Sequence, residues 1–113
     1  MQITERSIGE VTVLDLQGKL TMEDGAELLR DKVASVVFQG RSKILLNLAG
    51  VAYVDSGGLG VLVRCSLGAR KANGAVKLAN LTSRITDLLT ITKLLTVFDT
   101  FDSEEKGLAS FAA

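Results

Sequence analysis

Histidine is absent from this 113-residue chain, and so are proline and tryptophan. Without histidine, Ser-His-Asp and Cys-His nucleophile systems lose their base, and most zinc and iron sites lose a favoured ligand. The lone cysteine, Cys65, can form no intrachain disulfide, which fits a reducing compartment. Excess charge of one sign is missing as well. Thirteen basic residues balance thirteen acidic ones, so there is no broad positive field to hold nucleic acid or anionic lipid. No segment approaches the roughly 18 consecutive apolar residues of a membrane span. The opening MQITERSIGEV lacks the apolar block behind a basic head that marks a signal peptide. The expectation is a cytoplasmic chain with no membrane contact, metal or cofactor, and with few reagents for catalysis.

What is present is enough for one domain, expected to span residues 1–113. Apolar residues make up 47% of the chain, which supplies a core. Residues 2–8 and 11–17 read as two strands joined at Gly9-Glu10, a two-residue turn with glycine first. Glu5 and Arg6 in the middle of the first suit an edge strand. Thr21 with Asp24 resembles a capping box before a helix over about 23–38, whose apolar stripe is Ala26, Leu29, Val33 and Val36. Gly40 is the stop. Ile44, Leu45, Leu46 and Leu48 suit a strand buried on both faces. A second helix carries Leu59, Leu62, Val63 and Leu67 and ends near Asn73-Gly74. Val76 and Leu78 mark a strand, and Thr82 or Ser83 caps a helix carrying Ile85, Leu88 and Leu89. Val97 and Phe98 suggest a last strand, and Asp102 with Glu105 the cap of a helix through Phe111. Strands alternating with helices imply an α/β fold. Its mixed sheet has four or five strands, mostly parallel, with an N-terminal β-hairpin and about four helices.

One segment carries chemistry: Asp55-Ser56-Gly57-Gly58-Leu59-Gly60. Ser56 stands where a helix begins, and serine is a favoured N-cap. Each glycine that follows costs a helix interior roughly 1 kcal/mol against alanine, and leaves the backbone open to close approach. Two roles fit Ser56 on spacing alone. It caps the helix, or its hydroxyl is modified. A phosphate there would meet the positive end of a helix and add a charge of about −1.5 to −2 at pH 7, while neighbouring Asp55 would repel it. A P-loop is excluded because no Lys follows Gly60. A dinucleotide fingerprint fails at Val63, and a nucleophile elbow fails at Val54 and for want of a histidine. Cys65 reads as a small buried hydrophobe. Met22 reads as exposed or as packing at the helix entry. Arg64, Arg70 and Lys71 read as a solvated face, with docking as a second role for Arg64.

The block Asp55 to Gly60 resembles the Asp-Ser-(Ser/Thr/Gly)-Gly-Leu-Gly motif of anti-sigma factor antagonists, which are built on a STAS domain. Val13 to Leu20 is similar to the family's second strand and Gly-x-Leu turn, and Phe98 to Phe111 to its closing strand and helix. The resemblance implies a single STAS domain that is a ligand and substrate, not an enzyme. It implies a partner, an anti-sigma factor serine kinase with a histidine-kinase-like ATPase fold, bound by the unphosphorylated form so that a sigma factor is released. It implies phosphorylation at Ser56, which ends the contact, and resetting by a PP2C-type serine phosphatase. The implied contact surface is Thr21, Met22, Asp55, Ser56, Gly57, Gly58, Leu59 and Gly60. Thr21 stands where many members carry Asp. Gly57 replaces the commoner second hydroxyl residue. Two other readings stay open. One is a STAS scaffold or regulatory subunit of a stress-sensing or lipid-transport complex. The other is an anion or nucleotide site at the glycine-rich helix end.

Overall fold

The chain begins as a hairpin. In the computed structural model, which describes residues 1–112, β1 (Gln2–Ile8) pairs antiparallel with β2 (Val11–Leu20). Gly9 supplies the turn at φ 59°, a conformation that costs glycine nothing. The order then alternates: α1 (Ala26–Phe38), β3 (Lys43–Val54), α2 (Ser56–Lys71), β4 (Ala75–Ala79), α3 (Ser83–Ile91), β5 (Thr100–Phe101) and α4 (Glu104–Ala109). The five strands lie in sequence order across one sheet, and every pair after the hairpin is parallel.

Because the strand order never reverses, right-handed crossovers place α1, α2 and α3 on one face. The main core forms there. Leu14, Leu46 and Leu78 face one another across the three central strands. They pack with Leu29 and Val33 of α1, Leu62 and Ala69 of α2, and Leu89 of α3. Burying each such leucine stabilises the fold by about 1.5–3 kcal/mol. The opposite face holds a smaller cluster of Val11, Val13, Leu45 and Ala79 under Leu108 and Phe111. With both faces covered, Ile44, Leu45, Leu46 and Leu48 are all essentially inaccessible.

The β1 edge is bridged by charge. Glu5 pairs with Lys32 and Arg41. Arg6 points to the other face, where it holds Asp15 at 2.6 Å and also Glu104 of α4.

Several expected boundaries differ. Thr21 and Asp24 do not cap α1. They close a turn in which the Asp24 N–H donates to Thr21 Oγ1 at 3.0 Å, and the helix starts only after Gly25, at φ 93°. Strand β3 is longer than its apolar run and continues to Val54, still paired with β2, because register shifts opposite Asp15/Gln17 and Gly18/Lys19 each absorb one extra residue of β3. Leu67 is half-exposed, off the core side of α2. The last strand lies at Thr100–Phe101, while Phe98 is a buried anchor before it. Ser103, not Asp102, caps α4 by accepting from the Lys106 N–H at 3.1 Å.

Candidate functional site

The end of β3 delivers the chain to a helix start at the rim of the sheet. Asp55 is the N-cap of α2, in extended backbone conformation, and its Oδ1 accepts from the Gly58 N–H at 2.8 Å. Ser56 is therefore the first helical residue and not the cap. One position decides the matter, since a cap oxygen must reach the N–H two or three residues on, and Asp55 already occupies that geometry. Freed from capping, the Ser56 hydroxyl is exposed and makes no hydrogen bond to the described residues.

A second element locks this helix start. The loop from Thr21 to Gly25 folds over it, and the Met22 N–H donates to both Asp55 carboxylate oxygens at 3.2 Å. The Asp55 N–H donates in turn to the Leu20 carbonyl at 3.3 Å. Hydrogen bonding from the Gly58 N–H, supported by the N–H groups of Met22 and Gly57, holds the Asp55 carboxyl below the usual carboxylate range, against the effect of desolvation. Asp55 is thus a fixed negative charge beside Ser56.

The glycines have separate reasons. A Cβ on Gly58 would fall on the Leu20 carbonyl oxygen. On Gly57 it would lie 2.7 Å from the Met22 Cβ. Both are required by the chain's own β2–α1 loop, which makes the close approach that the sequence alone would leave to another molecule. Gly60 is different, because the nearest atom to its Cβ position is an Arg64 nitrogen at 3.6 Å.

The expected site residues therefore divide. Met22, 72% exposed, and Ser56 form the outer surface, with Thr21, Asp55, Gly57 and Gly60 half-buried around them. Gly58 and Leu59 are buried, with Leu59 in the core, so they position the surface from beneath. Thr21, standing where an aspartate was the expected alternative, spends its hydroxyl inside the loop on Asp24. The sequence reading missed Lys19 and Tyr53, which line an open cleft of about 440 Å³ beside Asp55 with Thr21, Met22 and Asp24. Tyr53 is the chain's sole tyrosine and is half-exposed two residues before Asp55, which was the available signal. Cys65 is buried, and desolvation pushes its thiol up to about 12.

Among the described residues there is no cluster of acids or cysteine arranged to hold a metal ion, and no helix is long and apolar enough to cross a membrane.

The family model for the STAS domain matches residues 2–107. An anti-sigma-B factor antagonist of Bacillus subtilis is 36% identical over 83 residues, covering 74% of this chain and 75% of the relative. Among solved structures, an anti-sigma-factor antagonist (STAS) domain protein from Planctomyces limnophilus superposes with a TM-score of 0.86 at 19% identity, covering 98% of each chain. The Bacillus cell fate determinant SpoIIAA in its phosphorylated form superposes with a TM-score of 0.75 at 20% identity, covering 98% of this chain and 100% of that one. At those identities the structural likeness is one of fold.

Proposed function

This chain belongs to the STAS domain family, and from that membership we propose that it acts as an anti-sigma factor antagonist whose grip on its partner is set at Ser56. The partner is an anti-sigma factor that is also a serine kinase with a histidine-kinase-like ATPase fold. Unphosphorylated, the chain docks through Ser56, Met22 and the half-buried backbone at Gly57 and Gly60, and the kinase lets go of its sigma factor. The chain is a cytoplasmic ligand and substrate, and it carries out no catalysis itself.

The observation that carries this reading is the free, exposed Ser56 hydroxyl beside an Asp55 that already uses the local N–H donors. Phosphorylation forms a bond from Ser56 Oγ to the γ-phosphorus of ATP. The bond from that phosphorus to the β-phosphate oxygen breaks, ADP leaves, and the hydroxyl proton passes to a base of the kinase. The product carries about −1.5 to −2 charges at pH 7. At an ordinary helix N-terminus that charge would be drawn to the unpaired N–H groups. Here Asp55 holds the Gly58 and Met22 donors, so the new dianion faces a fixed negative neighbour. Solvent tolerates it on the free chain, but a docked partner excludes that solvent. A PP2C-type phosphatase would restore the hydroxyl.

Calorimetric titration against the partner kinase tests this. Wild type and Ser56→Ala should bind alike, and Ser56→Ala should take up no phosphate from ATP. Ser56→Asp and the phosphorylated chain should bind about 5- to 150-fold more weakly, the usual scale for such coupling. Equal affinities for all four forms would exclude the switch.

A further inference from the structure

The parallel helices α1 and α2 leave a groove between them that runs away from the Ser56 rim. Its near half is a hollow of about 240 Å³ that includes Met22, Gly57 and Val61. Its far half, about 340 Å³, is floored by Val33, Val37 and Cys65 and bounded by Phe38 and Gly68. Arg30 of α1 and Arg64 of α2 line both halves.

Three features of this groove lack an internal explanation. Phe38 is 94% exposed although it ends an otherwise amphipathic helix. Gly68 has nothing within 4 Å of its Cβ position, so no packing demands a glycine that costs roughly 1 kcal/mol in a helix interior. Arg64 has no ion pair among the described residues, and Arg30 has only loose ones, at 3.6 Å to Glu27 and 3.5 Å to Asp31. An apolar floor, an exposed aromatic at one end and two guanidiniums against the single lining carboxylate of Glu27 describe a binding surface with a preferred charge.

We propose that the α1–α2 groove docks an acidic amphipathic helix of a partner protein, its apolar stripe on Val33, Val37 and Gly68 and its carboxylates on Arg30 and Arg64. Length fits a helix, since the 13 residues of α1 span about 20 Å at 1.5 Å per residue, room for about four turns. The mode is that of a helix laid in a hydrophobic groove, with anchors at i, i+3, i+4 and i+7. Charge argues against a second copy of this chain, because its matching face would bring the same two arginines into the seam. The proposal needs no phosphorylation at Ser56, although the near half of the groove shares Met22 and Gly57 with the proposed kinase contact.

The test uses the full chain, isotopically labelled for amide NMR, and three designed helical peptides. All share leucines at i, i+3, i+4 and i+7, and their flanks are glutamate, glutamine or lysine. The glutamate peptide should bind about tenfold or more tightly than the lysine peptide, with shift changes centred on Val33, Val37, Cys65 and Gly68. The double variant Arg30→Glu/Arg64→Glu should reverse the order of the peptides. Gly68→Trp should fill the groove and abolish binding, and Ala34→Trp, at the exposed lip of the same groove, should do the same if the first variant folds poorly. Equal binding of all three peptides, or shift changes elsewhere, would overturn the proposal. So would self-association abolished by Gly68→Trp, or binding of decanoate in the groove without binding of any peptide.

Discussion

The Met22 N–H donates to both carboxylate oxygens of Asp55, each at 3.2 Å, so one side chain caps α2 and also holds the β2–α1 loop over it. The Asp55 carboxyl titrates below the usual range when folded, chiefly through the Gly58 N–H. Ionised Asp55 thus favours the folded state at all pH values above the unfolded carboxylate pKa of about 3.9. That contribution fades as pH falls through the lower folded value. Asp55→Asn keeps a good cap but has no such titration. The melting temperature of wild type should therefore exceed that of Asp55→Asn by a constant margin above about pH 5 and converge on it in acid. A margin independent of pH would show that the charge does not matter to the lock.

Gly58 and Gly60 lie two residues apart in the same helix and should respond oppositely to alanine. On Gly58 the new methyl meets the Leu20 carbonyl, and relieving that clash should cost about 1–3 kcal/mol. On Gly60 it meets only the movable tip of Arg64, and the gain in helix propensity should stabilise by up to about 1 kcal/mol. Urea unfolding at constant m-value reads both. Similar shifts in one direction would contradict the packing described for the loop.

Ser56→Ala provides the sharpest structural contrast. Were Ser56 the cap, its loss would cost about 1 kcal/mol. With Asp55 as the cap and the Ser56 hydroxyl unbonded, the change should stay within about 0.5 kcal/mol, as for surface sites in general. The same variant serves the binding assay, so its affinity can be read without a stability correction.

Two Asp-Ser pairs show how far residue types carry the reading of this fold. At Asp55-Ser56 the aspartate caps, and at Asp102-Ser103 the serine does. Both residue types are good caps, so the sequence places each helix start to within one residue, and contacts from distant segments decide the rest. The hairpin, the edge strand with Glu5 and Arg6 and the buried β3 run follow from local pattern and appear as expected, and of the two candidate caps for α3 the structure uses Thr82. The length of β3, the Thr21–Asp24 turn and the reason for Gly58 depend on the approach of β2, which leaves no local trace. At the site, the motif locates the helix end but does not separate outward Met22 and Ser56 from buried Leu59.

Arg6 joins the edge of the sheet to the last helix. Its guanidinium donates to Asp15 at 2.6 and 2.9 Å and to Glu104, and Asn47 and then Asn80 extend the chain across β3 to the end of β4. Bonding to Arg6 holds the Asp15 carboxyl below its ordinary range, and Asp15 in turn raises the guanidinium. Both side chains are partly exposed, 38% and 26%, so solvent screening limits the pair to a coupling of about 0.5–1 kcal/mol in a double-mutant cycle of Arg6→Met and Asp15→Asn. The larger effect should be local. Because this ion pair is what ties the start of α4 to the β1–β2 edge, while Leu108, Phe111 and the Lys77–Ser110 bonds hold its other end, Arg6→Met should speed amide exchange across residues 104–109 while leaving α1 and α2 protected. Exchange rising equally throughout the chain would mean that Arg6 supports the whole domain instead of docking its last helix.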